Sequence, residues 1–102
     1  MISERVAVVT GASRGMGRAT GEALAKAGYS VVMAMRDPDK ASADMAKMKS
    51  SGLGIFPALL DVSDVKSINI FTDMILNEYG RCDILVNNAG IYIDDENKTG
   101  SV

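Results

Sequence analysis

The chain has 102 residues, 47% hydrophobic and 24% charged, which holds one compact domain and excludes disordered and fibrous classes. Eleven Lys and Arg against 13 Asp and Glu give a net charge of −2, with no basic surplus for binding nucleic acid. There is no histidine and one cysteine, which excludes imidazole bases, His-dependent triads, an internal disulfide and multi-Cys metal sites.

No apolar run approaches the ~18 residues of a membrane span. Glu4 and Arg5 interrupt the N-terminus before Val6 to Val9, leaving too short a core for a signal peptide. A cytoplasmic protein with no membrane partner is expected. Arg5 to Thr10 is a short β-branched run ending at Gly11, the form of a strand buried on both faces. From Gly15 to Ala27, Met16, Ala19, Ala23, Leu24 and Ala27 recur at helical spacing, and Gly28 supplies the stop. Ser30 to Met35 is a second strand. Asp37-Pro38 then predicts an N-cap with proline at the first helical position, and Ala41, Met45 and Met48 form that helix's apolar face. Ser50-Ser51-Gly52 ends it.

Leu53 to Leu60 is a third strand, which Pro57 assigns to a sheet edge because proline lacks a ladder donor. Ser63 and Asp64 cap a third helix with Val65, Ile68, Thr72, Ile75 and Tyr79 on one stripe, closed by Gly80. Asp83 to Asn87 is a fourth strand. The order β-α-β-α-β-α-β with short connections predicts parallel strands joined by right-handed crossovers. Residues 1–90 form this unit, and residues 91–102 read as a polar loop or tail.

The connection after the first strand is Thr10-Gly11-Ala12-Ser13-Arg14-Gly15-Met16-Gly17, and a helix starts within it. A diphosphate needs backbone N–H groups that approach it closely and the positive end of a helix dipole beneath it. Glycines at 11, 15 and 17 remove the Cβ atoms that would block that approach. An ordinary glycine turn is the competing account; strand before and helix after favour dinucleotide binding. A P-loop is excluded because no glycine precedes a lysine, and G-x-G-x-x-G fails because Thr20 stands at its third glycine.

The loop resembles the T-G-x-x-x-G-x-G segment of the short-chain dehydrogenase/reductase family. Asn87-Asn88-Ala89-Gly90 is similar to that family's N-N-A-G motif, and Asp61-Val62 to its adenine-contacting pair. The resemblance spans residues 1–90 and implies a Rossmann-like parallel sheet of order 3-2-1-4, incomplete relative to the full doubly wound fold. It implies coenzyme contacts at Gly11, Ser13, Arg14, Gly15, Met16, Gly17, Asp61, Val62, Asn88, Ala89 and Gly90. It also implies hydride transfer between a nicotinamide and a carbonyl or alcohol carbon.

A ribose 2′-hydroxyl is best met by a carboxylate after the second strand, and a 2′-phosphate by arginine. The position that is acidic in NAD-using relatives is Met35, Arg36 follows it, and Arg14 lies in the loop. NADP is therefore expected. Asp37, about 20 residues past the loop, keeps NAD as the alternative.

The family's proton relay is a tyrosine with a lysine four residues later. Four residues beyond Tyr29, Tyr79 and Tyr92 stand Met33, Asp83 and Glu96, so no Y-x-x-x-K occurs and no catalytic residue is assigned. Cys82 reads as a packed strand-start residue, Asp94-Asp95-Glu96 as solvated acids rather than metal ligands, and the seven methionines as core filler. With four strands, the last would be a free edge with Ile84, Leu85 and Val86 short of neighbours. Leaving them wet forgoes about 5–9 kcal/mol. The chain alone is expected to be inactive. It is expected to be a piece of a longer protein whose C-terminal half packs on strand four, to self-associate there, or to be marginally stable. A non-catalytic nucleotide-binding or interaction module, or a truncated product without function, is the alternative.

Overall fold

The computed structural model describes residues 5–13 and 15–88. Four strands form one parallel sheet: β1 (Val6–Thr10), β2 (Ser30–Met35), β3 (Ile55–Leu59) and β4 (Ile84–Asn87). Their spatial order is β3-β2-β1-β4, as the family resemblance implies. The connections are α1 (Gly15–Lys26), α2 (Ser42–Ser50) and α3 (Val65–Glu78). No described helix is long and apolar enough to cross a membrane.

Every residue of β1 and β2 is buried, which explains why both read as continuous apolar runs without alternation. Ala7, Val9, Val31, Met33 and Met35 form one core with Ala25 of α1 and Met45 and Met48 of α2. Val6, Val8, Val32 and Ala34 form the other with Phe71 and Ile75 of α3. Two helices thus cover one face and one covers the other. The methionines at 33, 35, 45 and 48 are core residues, as expected of flexible filler, whereas Met16 is 80% exposed and is not. Pro57 lies in β3, an edge strand, where its missing N–H can face outward.

Four local expectations are corrected. First, α1 does not bury Met16, Ala19, Ala23 and Ala27; its buried residues are Gly17, Gly21 and Ala25. A Cβ on Gly21 would run into the flexible end of the Met33 side chain, so Met33 would have to move to admit one. Second, α2 starts at Ser42 rather than Pro38, and its N-cap Ala41 makes no side-chain cap. Asp37 to Ala41 instead closes two successive four-residue turns: Lys40 N–H donates to Asp37 O and Ala41 N–H to Pro38 O, both at 3.2 Å.

Third, α3 turns Val65 and Thr72 outward and buries Phe71 and Ile75, with Met74 and Tyr79 partly covered and Ile68 37% exposed. Its cap is as expected: the Asp64 side chain accepts from Lys66 N–H at 3.0 Å. Fourth, Cys82 is exposed rather than packed. Shielding of its Sγ and the neighbouring Asp83 charge push its thiol pKa up, away from a reactive thiolate. At β4, Ile84 and Val86 are partly covered by the first core, while Leu85 stays 64% exposed. The segment 91–102, with its three acids, lies outside the described residues.

Candidate functional site

The C-terminal ends of all four strands open onto one cleft of about 1060 Å³. The turn after β1 contributes Thr10, Gly11, Ser13 and Gly15, and the end of β2 contributes Met35, Arg36 and Asp37. Lys40, Ala41 and Asp44 come from the next turn and α2, Leu60 to Ser63 follow β3, and Asn88 follows β4. In a doubly wound sheet this end, at the reversal of strand order between β1 and β4, is where ligands bind.

The glycine turn is a cradle by construction. Gly11 and Gly15 have φ of 61° and 64°, a conformation that side chains disfavour. Gly17 faces inward, and a Cβ there would meet Gly11 O and stand 2.8 Å from Asn88 Nδ2. Ala12 N–H donates to Ala34 O at 3.1 Å, which ties the turn to β2. The Thr10 hydroxyl lies 3.0 Å from Asn87 Oδ1, which ties it to β4. Asn88 Nδ2 is buried and has no hydrogen-bond partner among the described residues. Leaving such a donor unpaired costs about 1–3 kcal/mol, so the site has capacity for an acceptor.

The side walls carry charge. Arg36 makes no hydrogen bond or ion pair among the described residues. Asp61 Oδ1 accepts from the Ser63 hydroxyl at 2.6 Å and from Ser63 N–H at 3.0 Å. These two bonds, assisted by the Arg36 charge, hold the Asp61 carboxyl below its usual range, so it is an acceptor at neutral pH. Its Oδ2 has no partner among the described residues. Asp44 is engaged by Arg18 of α1 at 2.9 Å, a bridge that links α1 to α2 at the cleft wall.

Of the expected site residues, Gly11, Ser13, Gly15, Arg36, Asp61, Val62 and Asn88 line this one cleft. Gly17 supports it from below, while the Met16 side chain is 80% exposed and does not line it. Arg14, Ala89 and Gly90 lie outside the described residues. The sequence reading missed Lys40, Asp44 and Ser63. Lys40 was legible as the cation three residues after Asp37, and Ser63 as the residue two past Asp61. The arrangement can hold an elongated anion: N–H groups at one end, cations at the other, and an acceptor beside apolar Val62 on the wall.

No group of three potential metal-ligating side chains occurs among the described residues. Tyr79 packs on Phe56 with ring centroids 5.9 Å apart, and burial raises its pKa further from neutrality.

The sequence model of a family described as short chain dehydrogenase matches residues 5–101. The 3-oxoacyl-(acyl-carrier-protein) reductase FabG of Escherichia coli strain K12 is 42% identical over 91 residues, 89% of this chain and 36% of that protein. Mouse (Mus musculus) carbonyl reductase (NADPH) 1 is 41% identical over 90 residues, 87% of this chain and 32% of that protein. A crystal structure of a metagenomic short-chain oxidoreductase in complex with NADP superposes with a TM-score of 0.79 at 42% identity, over 87% of this chain and 40% of that one. The chain thus spans about a third of the length of the curated relatives it matches.

Proposed function

The chain belongs to the short chain dehydrogenase family, and from that premise we propose that it is the NADP-binding portion of an oxidoreductase acting on a carbonyl or alcohol compound. Residues 1–90 are the dinucleotide-binding half domain. The observation that carries this reading is the cleft that joins the glycine cradle to the Arg36 cation, with buried Asn88 Nδ2 lacking an acceptor among the described residues. The NADP in the metagenomic relative's structure and the NADPH in the mouse relative's name support it.

In this reading the N–H groups of the turn from Gly11 to Gly17 hold the diphosphate, favoured by the positive end of α1. Arg14 and Arg36 neutralise the 2′-phosphate. Asp61 accepts from the adenine amino group, Val62 lies against the ring, and the Asn88 to Gly90 segment runs beside the coenzyme. The bound coenzyme supplies the hydride. The group that moves the proton comes from outside these 102 residues, since none of the three tyrosines has its lysine. The outer edge of β4 is where a further half of the fold, or a second copy of the chain, would pack. NAD is the competing coenzyme, favoured by Asp37 on the cleft wall.

Calorimetric titration of the chain with NADPH and NADH tests the proposal. NADPH is expected to bind more tightly. Binding of neither coenzyme would overturn the reading.

A further inference from the structure

At the end of the sheet opposite β4, β3 presents an edge with no strand beside it among the described residues. Leu60 N–H donates to Met35 O at 2.8 Å, and Gly54 O accepts from Val31 N–H at 2.7 Å. Even-numbered residues along β3 therefore turn their backbone groups toward β2, and Pro57 and Leu59 turn theirs outward. The outward groups are the Pro57 C=O and both the N–H and the C=O of Leu59. Beside them a groove of about 310 Å³ runs between β3 and α3. Among its lining residues Leu59 is 59% exposed and Ile70 65%. Whatever packs on β4 leaves this edge open, because β3 and β4 stand at opposite ends of the sheet.

The flank of α3 beside the groove is patterned. Lys66, Ile70, Met74 and Glu78 follow one another four residues apart, so they share one side of the helix. Ile70, Met74 and Glu78 line the groove, and Lys66 extends the row past its end. Neither the Lys66 ammonium nor the Glu78 carboxylate forms an ion pair among the described residues. The row reads cation, apolar, apolar, anion, and it complements itself when reversed: Lys66 then faces Glu78, and Ile70 faces Met74.

The strand edge reverses in the same way. In an antiparallel pair centred on Ala58, the Leu59 N–H donates to the C=O of the partner's Pro57, and the partner donates in return. The pairing thus uses the donors that remain where proline has none. Phe71, next to Thr72 at the middle of the helical row, lines the groove together with Ala58, so one two-fold axis suits both elements.

We propose that the β3 edge and the Lys66-to-Glu78 flank of α3 form a two-fold interface with a second copy of this chain. Such an interface is isologous, each copy giving the same patch, and it joins the two sheets into one. It is independent of the coenzyme reading, since neither Lys66 nor Glu78 lines the cleft.

The test is sedimentation equilibrium of the 102-residue chain carrying Leu85→Lys, which blunts the β4 edge so that association through β3 is measured alone. That chain is expected to form a dimer. Adding Lys66→Glu or Glu78→Lys should each weaken the dimer about tenfold or more, because like charges then oppose at both ends of the row. Mixing these two variants should restore the dimer, since every facing pair between the two different chains is then of opposite sign. The combined Lys66→Glu/Glu78→Lys chain should dimerise by itself for the same reason. Circular dichroism checks that each variant keeps the fold, which the exposure of both side chains favours. A Leu85→Lys chain that stays monomeric at all concentrations would overturn the proposal. So would single variants that dimerise as tightly as their parent, or a mixture no tighter than its components.

Discussion

Asn88 Nδ2 lies 2.8 Å from the point at which a Cβ on Gly17 would stand. The two residues belong to opposite ends of the described chain, one in the first turn of α1 and one just past β4. Their contact joins the glycine turn to the strand that completes the cleft. Replacing Gly17 with alanine forces the new methyl group against Gly11 O and the Asn88 amide together. Backbone cannot yield as a flexible side chain would, so Gly17→Ala should destabilise the fold by about 1–3 kcal/mol. Urea unfolding measures the loss, and NADPH titration should show weakened binding alongside it. An unchanged unfolding midpoint would show that the helix can back away from the turn.

Arg36 separates the two coenzymes in a way that the glycine turn cannot. Both coenzymes carry the diphosphate, and only one carries the 2′-phosphate. Reversal of charge in Arg36→Glu should therefore weaken NADPH about 100-fold and NADH less than about threefold. Parallel titrations check this. Equal losses would mean that Arg36 serves the cleft as a whole and that the NADP assignment is wrong.

Acid should unfold this chain partly through Asp83. Its carboxylate accepts from Arg81 Nη2 at 2.6 Å and from Val6 N–H at 2.8 Å, at the point where β4 joins β1. The Arg81 bonds first, then the Val6 bond, hold its pKa below the ordinary carboxylate value of about 3.9. With the native pKa lowered, the unfolded chain binds more protons, so stability rises with pH. The contribution is complete above the unfolded value and is lost as pH falls through the native one. Asp61, also lowered, acts in the same window and sign. Asp83→Asn should accordingly reduce stability at neutral pH and show a shallower fall between about pH 5 and 2. Urea midpoints across that range decide it, and parallel curves for the two proteins would contradict the assignment.

The outer edge of β4 has no strand beside it among the described residues, and Leu85 there is 64% exposed. An unpaired edge with an apolar side chain is a template for association. Sedimentation at several concentrations should show the chain self-associating, and Leu85→Lys should shift it towards monomer. A wild-type chain that stays monomeric throughout would contradict the open-edge argument.

The succession of elements, the parallel sense of the strands and the glycine turn were legible in the linear pattern, while sheet order came with the family resemblance. Fully buried strands such as Val6–Thr10 and Ser30–Met35 have no alternation to obscure them, and glycine spacing reports backbone need directly. Helix faces were less legible. Hydrophobic periodicity pointed to Met16 and Ala19 in α1, while the buried face is Gly17, Gly21 and Ala25, set four residues apart. A Cβ at Gly17 or Gly21 would meet Gly11 or Met33, and a hydrophobicity pattern does not register such closeness.

What the sequence by itself determined, then, is the succession of elements and the residue types that suit a dinucleotide, because these depend on neighbours in the chain. Tertiary structure decided which helix face meets the sheet, where α2 begins, and that Lys40 pairs with Asp37 on the same wall as Arg36. It also decided that Asp83 holds Val6, 77 residues away. Such relationships arise from packing between distant segments, whose distances no local spacing encodes.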